Sequence, residues 1–181
     1  MAINFDPRQK KKKQINFCGI NIEESNAEIN FDIEVSVVLL DDKGKLIDCV
    51  FYNNTNSIDN SICYELENEN DSYDFCIRIN LDVIDKAVKF IYFFINPCAE
   101  GYACKPLDFF TGCRVYLTLW DTSKNEIVYD KYRFDDVFKN NTSMCLIGLR
   151  QNNQDWDIER SGESCKGNLK EIIEFYNKET I

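Results

Sequence analysis

A chain of 181 residues that is 44% hydrophobic and 13% aromatic can bury a substantial core and is too apolar to be wholly disordered. Its 31 acidic residues against 21 basic ones give a formal net charge of −10, which disfavours nucleic-acid binding by the folded body and suits metal binding or simple solubility. Histidine is absent, which removes His-assisted triads, Cys–His dyads and His-based zinc or iron sites.

Residues 1–13 read as a flexible arm with a basic cluster at Lys10, Lys11, Lys12 and Lys13, and residues 14–181 read as one domain. Such a cluster can hold an anionic surface such as lipid, nucleic acid or an acidic partner, lie against the acidic body of its own chain, or stay solvated. No apolar signal core follows it, and no apolar run approaches the ~18 residues of a membrane span. The expected compartment is cytoplasmic and reducing. The nine cysteines, without a Cys-x-x-Cys pair, are then expected as free thiols that pack like small hydrophobes.

Gln14 to Ile22 alternates around Ile15 and Phe17 and predicts a first strand, with a polar loop from Glu23 to Ala27. From Asn30 to Leu40 the alternation is strict at first. Phe31, Ile33, Val35 and Val37 are apolar, and Asp32, Glu34 and Ser36 are polar. This is a strand with one face in the core and two carboxylates on the other, roughly 6–7 Å from one to the next. The polar face either shows its acids to water, as most polar strand faces do, or holds a hard cation such as calcium between them.

Asp41-Asp42-Lys43-Gly44 predicts a hairpin turn into a strand from Leu46 to Tyr52, and Lys43 excludes an EF-hand loop there. After a turn-rich loop, Ser61 to Leu66 is a short strand. Residues 67–74 then carry Glu67, Glu69, Asp71 and Asp74, a loop that is either solvated or closed around a cation. Phe75 to Leu81 is a strand, Asp82 to Ala87 a helical turn, and Val88 to Ile95 the most apolar and central strand. Asn96 to Phe110, with Pro97, Gly101 and Pro106, reads as a long loop.

Gly112 to Trp120 and Glu126 to Tyr132 form a further strand pair, and Phe134 to Lys139 is a short helical or irregular piece. Met144 to Leu149 and Trp156 to Ile158 make a last hairpin. Leu169, Ile172, Ile173 and Tyr176 at helical spacing predict one C-terminal helix near Gly167 to Lys178. The sum is a mainly β chain: a two-sheet β-sandwich with short helical turns and one C-terminal helix.

Asp32-Ile33-Glu34-Val35-Ser36-Val37-Val38-Leu39-Leu40 resembles the Asp-Leu-Asp-Ala-Ser strand of the TerD-type tellurium-resistance and stress proteins. Phe51-Tyr52-Asn53-Asn54, the acidic loop before Ile77-Arg78-Ile79-Asn80-Leu81, and Gly112 to Asp121 follow in the family's order. So do Thr142-Ser143-Met144, Trp156, and Gly162 with Gly167 and Leu169. The resemblance runs from about residue 15 to 176 and implies a sandwich that binds calcium at one edge.

Carried over by position, the metal ligands are Asp32, Glu34, Asp71 and Asp74, with Glu69 close by and Asn21 in the place of a first-strand aspartate. Tyr73, Phe75 and Gly148 stand where the family carries acids. Calcium affinity falls with the charge count of its ligands, so one site is expected rather than two. The resemblance thus implies a non-enzymatic calcium-binding stress-response module acting through protein partners. The alternative is a degenerate scaffold that no longer binds metal and works by protein–protein contacts. Catalysis has no nucleophile–base–orienter set to rest on, since Cys98, Cys104 and Cys113 lack a histidine to activate them.

Overall fold

A computed structural model describes residues 14–23, 31–66, 75–99, 103–104, 114–121, 126–129, 132–133, 141–153 and 155–178. The strands in chain order are β1 (Gln14–Glu23), β2 (Phe31–Leu40), β3 (Leu46–Val50), β4 (Ile62–Leu66), β5 (Phe75–Asn80) and β6 (Phe90–Ala99). They continue with β7 (Ala103–Cys104), β8 (Arg114–Asp121), β9 (Glu126–Tyr129), β10 (Tyr132–Arg133), β11 (Ser143–Asn152) and β12 (Asp155–Cys165), and helix α1 (Leu169–Lys178) closes the order. One six-stranded sheet runs β10-β8-β1-β5-β4 with β9 on β8, and the other runs β12-β11-β6-β2-β3 with β7 on β6. The chain is a mainly antiparallel β-sandwich, as its alternation predicts.

The centre is the ladder of β2 against β6. Val35, Val37 and Leu39 stand opposite Ile95, Phe93 and Ile91, and all six are at most 2% exposed. Ile62, Ile77 and Ile79 of the other sheet are fully buried with them. Alternation therefore places one apolar row of each sheet in a shared interior.

The second face of β2 departs from expectation. Val38 and Leu40 pack with Cys49, Tyr92, Phe94 and Cys145 against Ile172 of α1, and Leu169 and Ile173 lean on the same cluster. The helix thus covers the face that alternation assigns to solvent, and even Ser36 is only 2% exposed. A strand buried on both faces reads as a continuous apolar run, which is what Val37-Val38-Leu39-Leu40 is.

Three further expectations are corrected. Strand β6 does not end at Ile95 in a loop but continues to Ala99, pairing as far as Phe31 with Ala99. Its ladder with β11 stops at Ile95 and that with β7 starts at Cys98, so Pro97, without an N–H, fits in the gap. The last hairpin is longer than predicted, because β12 carries Ser161, Glu163 and Ser164. Polar residues suit an edge strand and hide it from a hydropathy reading. Residues 82–87 hold turns rather than a helical turn: Val83 N–H donates to Asn80 O (3.2 Å) and Val88 N–H to Asp85 O (2.9 Å). The piece expected at 134–139 lies outside the described residues.

Helix α1 starts where its capping chemistry dictates. Asn168 Oδ1 accepts from Glu171 N–H (3.1 Å) and Glu171 Oε2 accepts from Asn168 N–H (2.8 Å), a reciprocal capping box. Gly167 before it has φ +115, and a Cβ there would lie 2.9 Å from Glu171 Cβ, so glycine is required. Ile172 is 5% exposed and Phe175 55% exposed on the same helix. Ile172→Ala is expected to cost about 2–4 kcal/mol in urea unfolding, and Phe175→Ser less than about 0.5 kcal/mol. Equal costs would show that the helix docks by a different face.

Candidate functional site

Alternation along β2 puts residues 32, 34 and 36 on the face that carries Val38 and Leu40 further along. The register sets Asp32 opposite Cys98 and Glu34 opposite Asn96 of β6. Strand β3 pairs with β2 only from Val37 onward, so among the described residues no strand flanks β2 on that side at Glu34. Glu34 is half-buried there. Its charge reaches Tyr64 of β4, whose phenol is held above its ordinary pKa by burial first and by Glu34 second. Tyr64 stands just before Leu66, the end of β4 from which residues 67–74 depart. The fold therefore carries Glu34 towards the Leu66 end of β4.

Asn96, 1% exposed, is the polar residue at the heart of this end. Its Nδ2 donates to Thr142 O (3.4 Å), Gly167 O (3.3 Å) and Ser143 Oγ. Thr142 Oγ1 in turn donates to Gly167 O and accepts from Gly167 N–H, both at 2.9 Å. Strand β6 and the turn before α1 are thus joined at one point. Two acceptors of the Asn96 amide are carbonyls, which cannot donate, so its nitrogen must face them. Its Oδ1 has no hydrogen-bond partner among the described residues, and neither has Ser36 Oγ. A buried oxygen left unpaired costs about 1–3 kcal/mol, which makes both atoms worth explaining.

Of the residues expected to hold metal, Asp32 and Glu34 share β2, as predicted. Asn21 lies in the other sheet, opposite Tyr116 of β8. Glu69, Asp71 and Asp74 lie outside the described residues, as does the arm with Lys10 to Lys13. Among the described residues no three Cys, Asp or Glu side chains gather as a metal site. Among the described residues, a cation at Glu34 would have to draw on neutral oxygens. The groups at hand, a carboxylate, a carboxamide oxygen and a hydroxyl, are all oxygen and fit a hard cation such as calcium. Asn96 escapes the sequence reading because Pro97 beside it signals a loop, whereas Ser36 is visible in the alternation.

Several other acids have structural tasks. Asp41 Oδ1 accepts from the N–H groups of Lys43 and Lys45 (both 2.8 Å) in the turn at Gly44, whose φ is +78. Asp48 Oδ2 accepts from Ile58 N–H (2.7 Å). Asp59 accepts from Ser57 Oγ (2.7 Å), Ser61 N–H (2.9 Å) and Asp85 N–H (2.7 Å), tying the loop before β4 to the turn after β5. Burial pushes the Asp59 carboxyl up, but these hydrogen bonds outweigh it and hold the pKa below the usual value. Cys49 and Cys63 are free thiols, and burial, followed by the Asp48 charge, pushes Cys49 up to about 12.

An antiparallel two-sheet sandwich with an Asp-x-Glu-x-Ser strand at its centre defines a class of protein. The family model of the TerD domain matches residues 3–176, and the chain belongs to that family. It is 26% identical over 169 residues to the tellurium resistance protein TerZ of Serratia marcescens, covering 92% of this chain and 79% of that one. To TerD of the same organism it is 26% identical over 153 residues, covering 81% and 78%. Among solved structures, a homologue of telluride resistance protein (TerD) from Streptomyces coelicolor A3(2) superposes with a TM-score of 0.66 at 8% identity, covering 90% of this chain and 96% of that one. The unknown-function protein SAV2460 superposes with a TM-score of 0.68 at 9% identity, over 91% and 96%. These two likenesses show the fold.

A lowered carboxyl pKa contributes stability above the ordinary carboxylate value that is lost as pH falls through the depressed one. Asp59→Ala is therefore expected to destabilise the protein by about 1–2 kcal/mol near neutral pH through its lost hydrogen bonds. The gap in melting temperature should narrow as the pH drops through the acid range. Cys49 is expected to resist alkylation at pH 8 until the protein is unfolded, with peptide mapping as the readout.

Proposed function

We propose that this protein is a calcium-binding, non-enzymatic member of the TerD family that serves as an interaction module in a stress response of the tellurium-resistance type. The observation that carries the calcium reading is the half-buried Glu34, set on β2 two residues from Asp32. A half-buried carboxylate on a strand that also carries Asp32 favours a partner that brings positive charge and accepts several oxygens. The two relatives named for tellurium resistance support the physiological setting.

Calcium, when bound, supplies the positive charge that lets these acids stand together. Asp32 and Glu34 would hold it from β2, and Asp71 and Asp74, assisted by Glu69, from the loop between β4 and β5. Those strands belong to different sheets, so the bound form would join the sheets at one end and present a fixed edge to a protein partner. The proposal places the protein in the cytoplasm, and no helix of the described residues is long and apolar enough to cross a membrane. A metal-free scaffold is the competing reading, favoured by the lack of a three-acid cluster among the described residues.

Thermal melts in EDTA and under a calcium titration separate the two. Saturation to a hundred-fold excess over Kd adds about 2.7 kcal/mol, which for a domain of this size raises Tm by roughly 5–10 °C. The double variant Asp32→Asn/Glu34→Gln should lose that rise. A wild-type Tm that does not move up to millimolar calcium would leave the metal-free scaffold as the function.

A further inference from the structure

We infer that Asn96 Oδ1 and Ser36 Oγ are direct ligands of the cation at Glu34, so that β6 builds the site together with β2. This rests on the calcium reading above and extends it to two neutral residues that carry no charge signal in the sequence.

Two buried oxygens on this face are costly as they stand. Ser36 lies in the row that continues as Val38 and Leu40, where an apolar side chain would join the cluster under α1. A hydroxyl there, 2% exposed and without a hydrogen-bond partner among the described residues, destabilises the protein unless something binds it. Asn96 repeats the pattern one strand away. Its nitrogen has acceptors on Thr142, Ser143 and Gly167, while its oxygen has no partner among the described residues. An amide with a fully engaged nitrogen and an orphaned oxygen is half of a network, and half-satisfied buried networks are unfavourable.

Orientation supplies the second step. Strand β6 lies between β11 and β2. The Asn96 nitrogen faces Thr142 and Ser143, at the start of β11, and the turn at Gly167. The oxygen, on the other corner of the same amide, is therefore directed to the β2 side, where Glu34 is the residue directly opposite. Ser36 follows Glu34 on the same face, diagonal to Asn96, a separation of roughly 7–8 Å between Cα atoms that a cation with ligands at about 2.3–2.6 Å can bridge.

Chemistry selects the occupant. A carboxylate, a carboxamide oxygen and a hydroxyl offer oxygen only, and neutral oxygens are ordinary calcium ligands. They also supply ligand number where this chain has fewer acids than its family, without adding charge repulsion. A buried water could also satisfy both orphaned oxygens, and the two occupants predict different behaviour.

Calcium affinity, measured by calorimetric titration of the full chain with calcium chloride, and Tm in EDTA are compared for wild type, Ser36→Ala, Asn96→Ala and Thr142→Val. Ser36→Ala is expected to raise the Tm in EDTA, because an unpaired buried hydroxyl is gone, and yet to weaken calcium roughly ten-fold. Asn96→Ala should lower the Tm in EDTA and weaken calcium by a similar factor. Thr142→Val breaks the contacts to Gly167 but removes no oxygen on the β2 side. It should lower the Tm and leave calcium affinity unchanged. Ser36→Ala decides the matter even if Asn96→Ala does not fold. Wild-type calcium affinity in Ser36→Ala overturns the inference and leaves the calcium reading standing. A wild type that binds no calcium overturns both.

Discussion

The ladder of β2 against β6 is the constraint on which the remainder of the structure depends. Its register, from Phe31 opposite Ala99 to Leu40 opposite Phe90, decides which residues share each face along the whole strand. One face becomes the interior between the sheets, and the other becomes the floor on which α1 docks. A slip of one residue would exchange the two rows and send Glu34 and Ser36 towards the interior. Burial on both faces makes that slip costly, because Val37, Val38, Leu39 and Leu40 all contribute to one core or the other. Each buried aliphatic side chain of this size adds about 1.5–3 kcal/mol of transfer free energy.

The same ladder explains why the candidate site lies at the Phe31 end of β2. Towards Leu40 the outer face is closed by α1, β3 and the aromatic rings of Tyr92 and Phe94. Towards Phe31 the partner strand β3 is absent, and the residues on β2 and β6 turn polar together, Ser36 then Glu34 on one, Asn96 on the other. Asn96 marks the border. Its nitrogen is held by the segment entering β11 and the turn before α1, so the latch that seats the helix and the polar end of the ladder share one side chain.

The acidity of the chain, a net charge of −10, divides by location. Asp41, Asp48 and Asp59 close turns and loops by accepting backbone N–H groups, a task short carboxylates perform without any ligand. Glu34 differs because it lies in a strand row beside the buried side chains of Ser36 and Asn96. Identity of 26% to the TerZ and TerD relatives and of 8–9% to the solved structures fits this division. A sandwich tolerates wide exchange of sequence so long as the alternating pattern and core volume persist. Fold likeness therefore says little about which ligand groups survive.

Much of the architecture was legible in the sequence. Strict alternation marked β2, the apolar run after Val88 marked a central β6, Gly44 marked the hairpin after β2, and i, i+3, i+4 spacing marked α1. These are local signals, written in neighbouring residues, because backbone geometry alone converts them into faces. Which face of β2 is covered, how far β6 runs past Pro97, and how long the polar edge strand β12 is could not be read that way. Each depends on a distant segment: α1 for the first, the gap between β11 and β7 for the second, pairing with β11 for the third. Asp32 and Glu34 were visible as a pair, since both lie in one strand. Asn96 was not, because a buried amide beside a proline looks like a loop residue until the register sets it opposite Glu34. The sequence determined the strands, the helix and the acids. Only the tertiary structure decided which oxygens are buried and unpaired, because burial is a property of contacts between segments far apart in the chain.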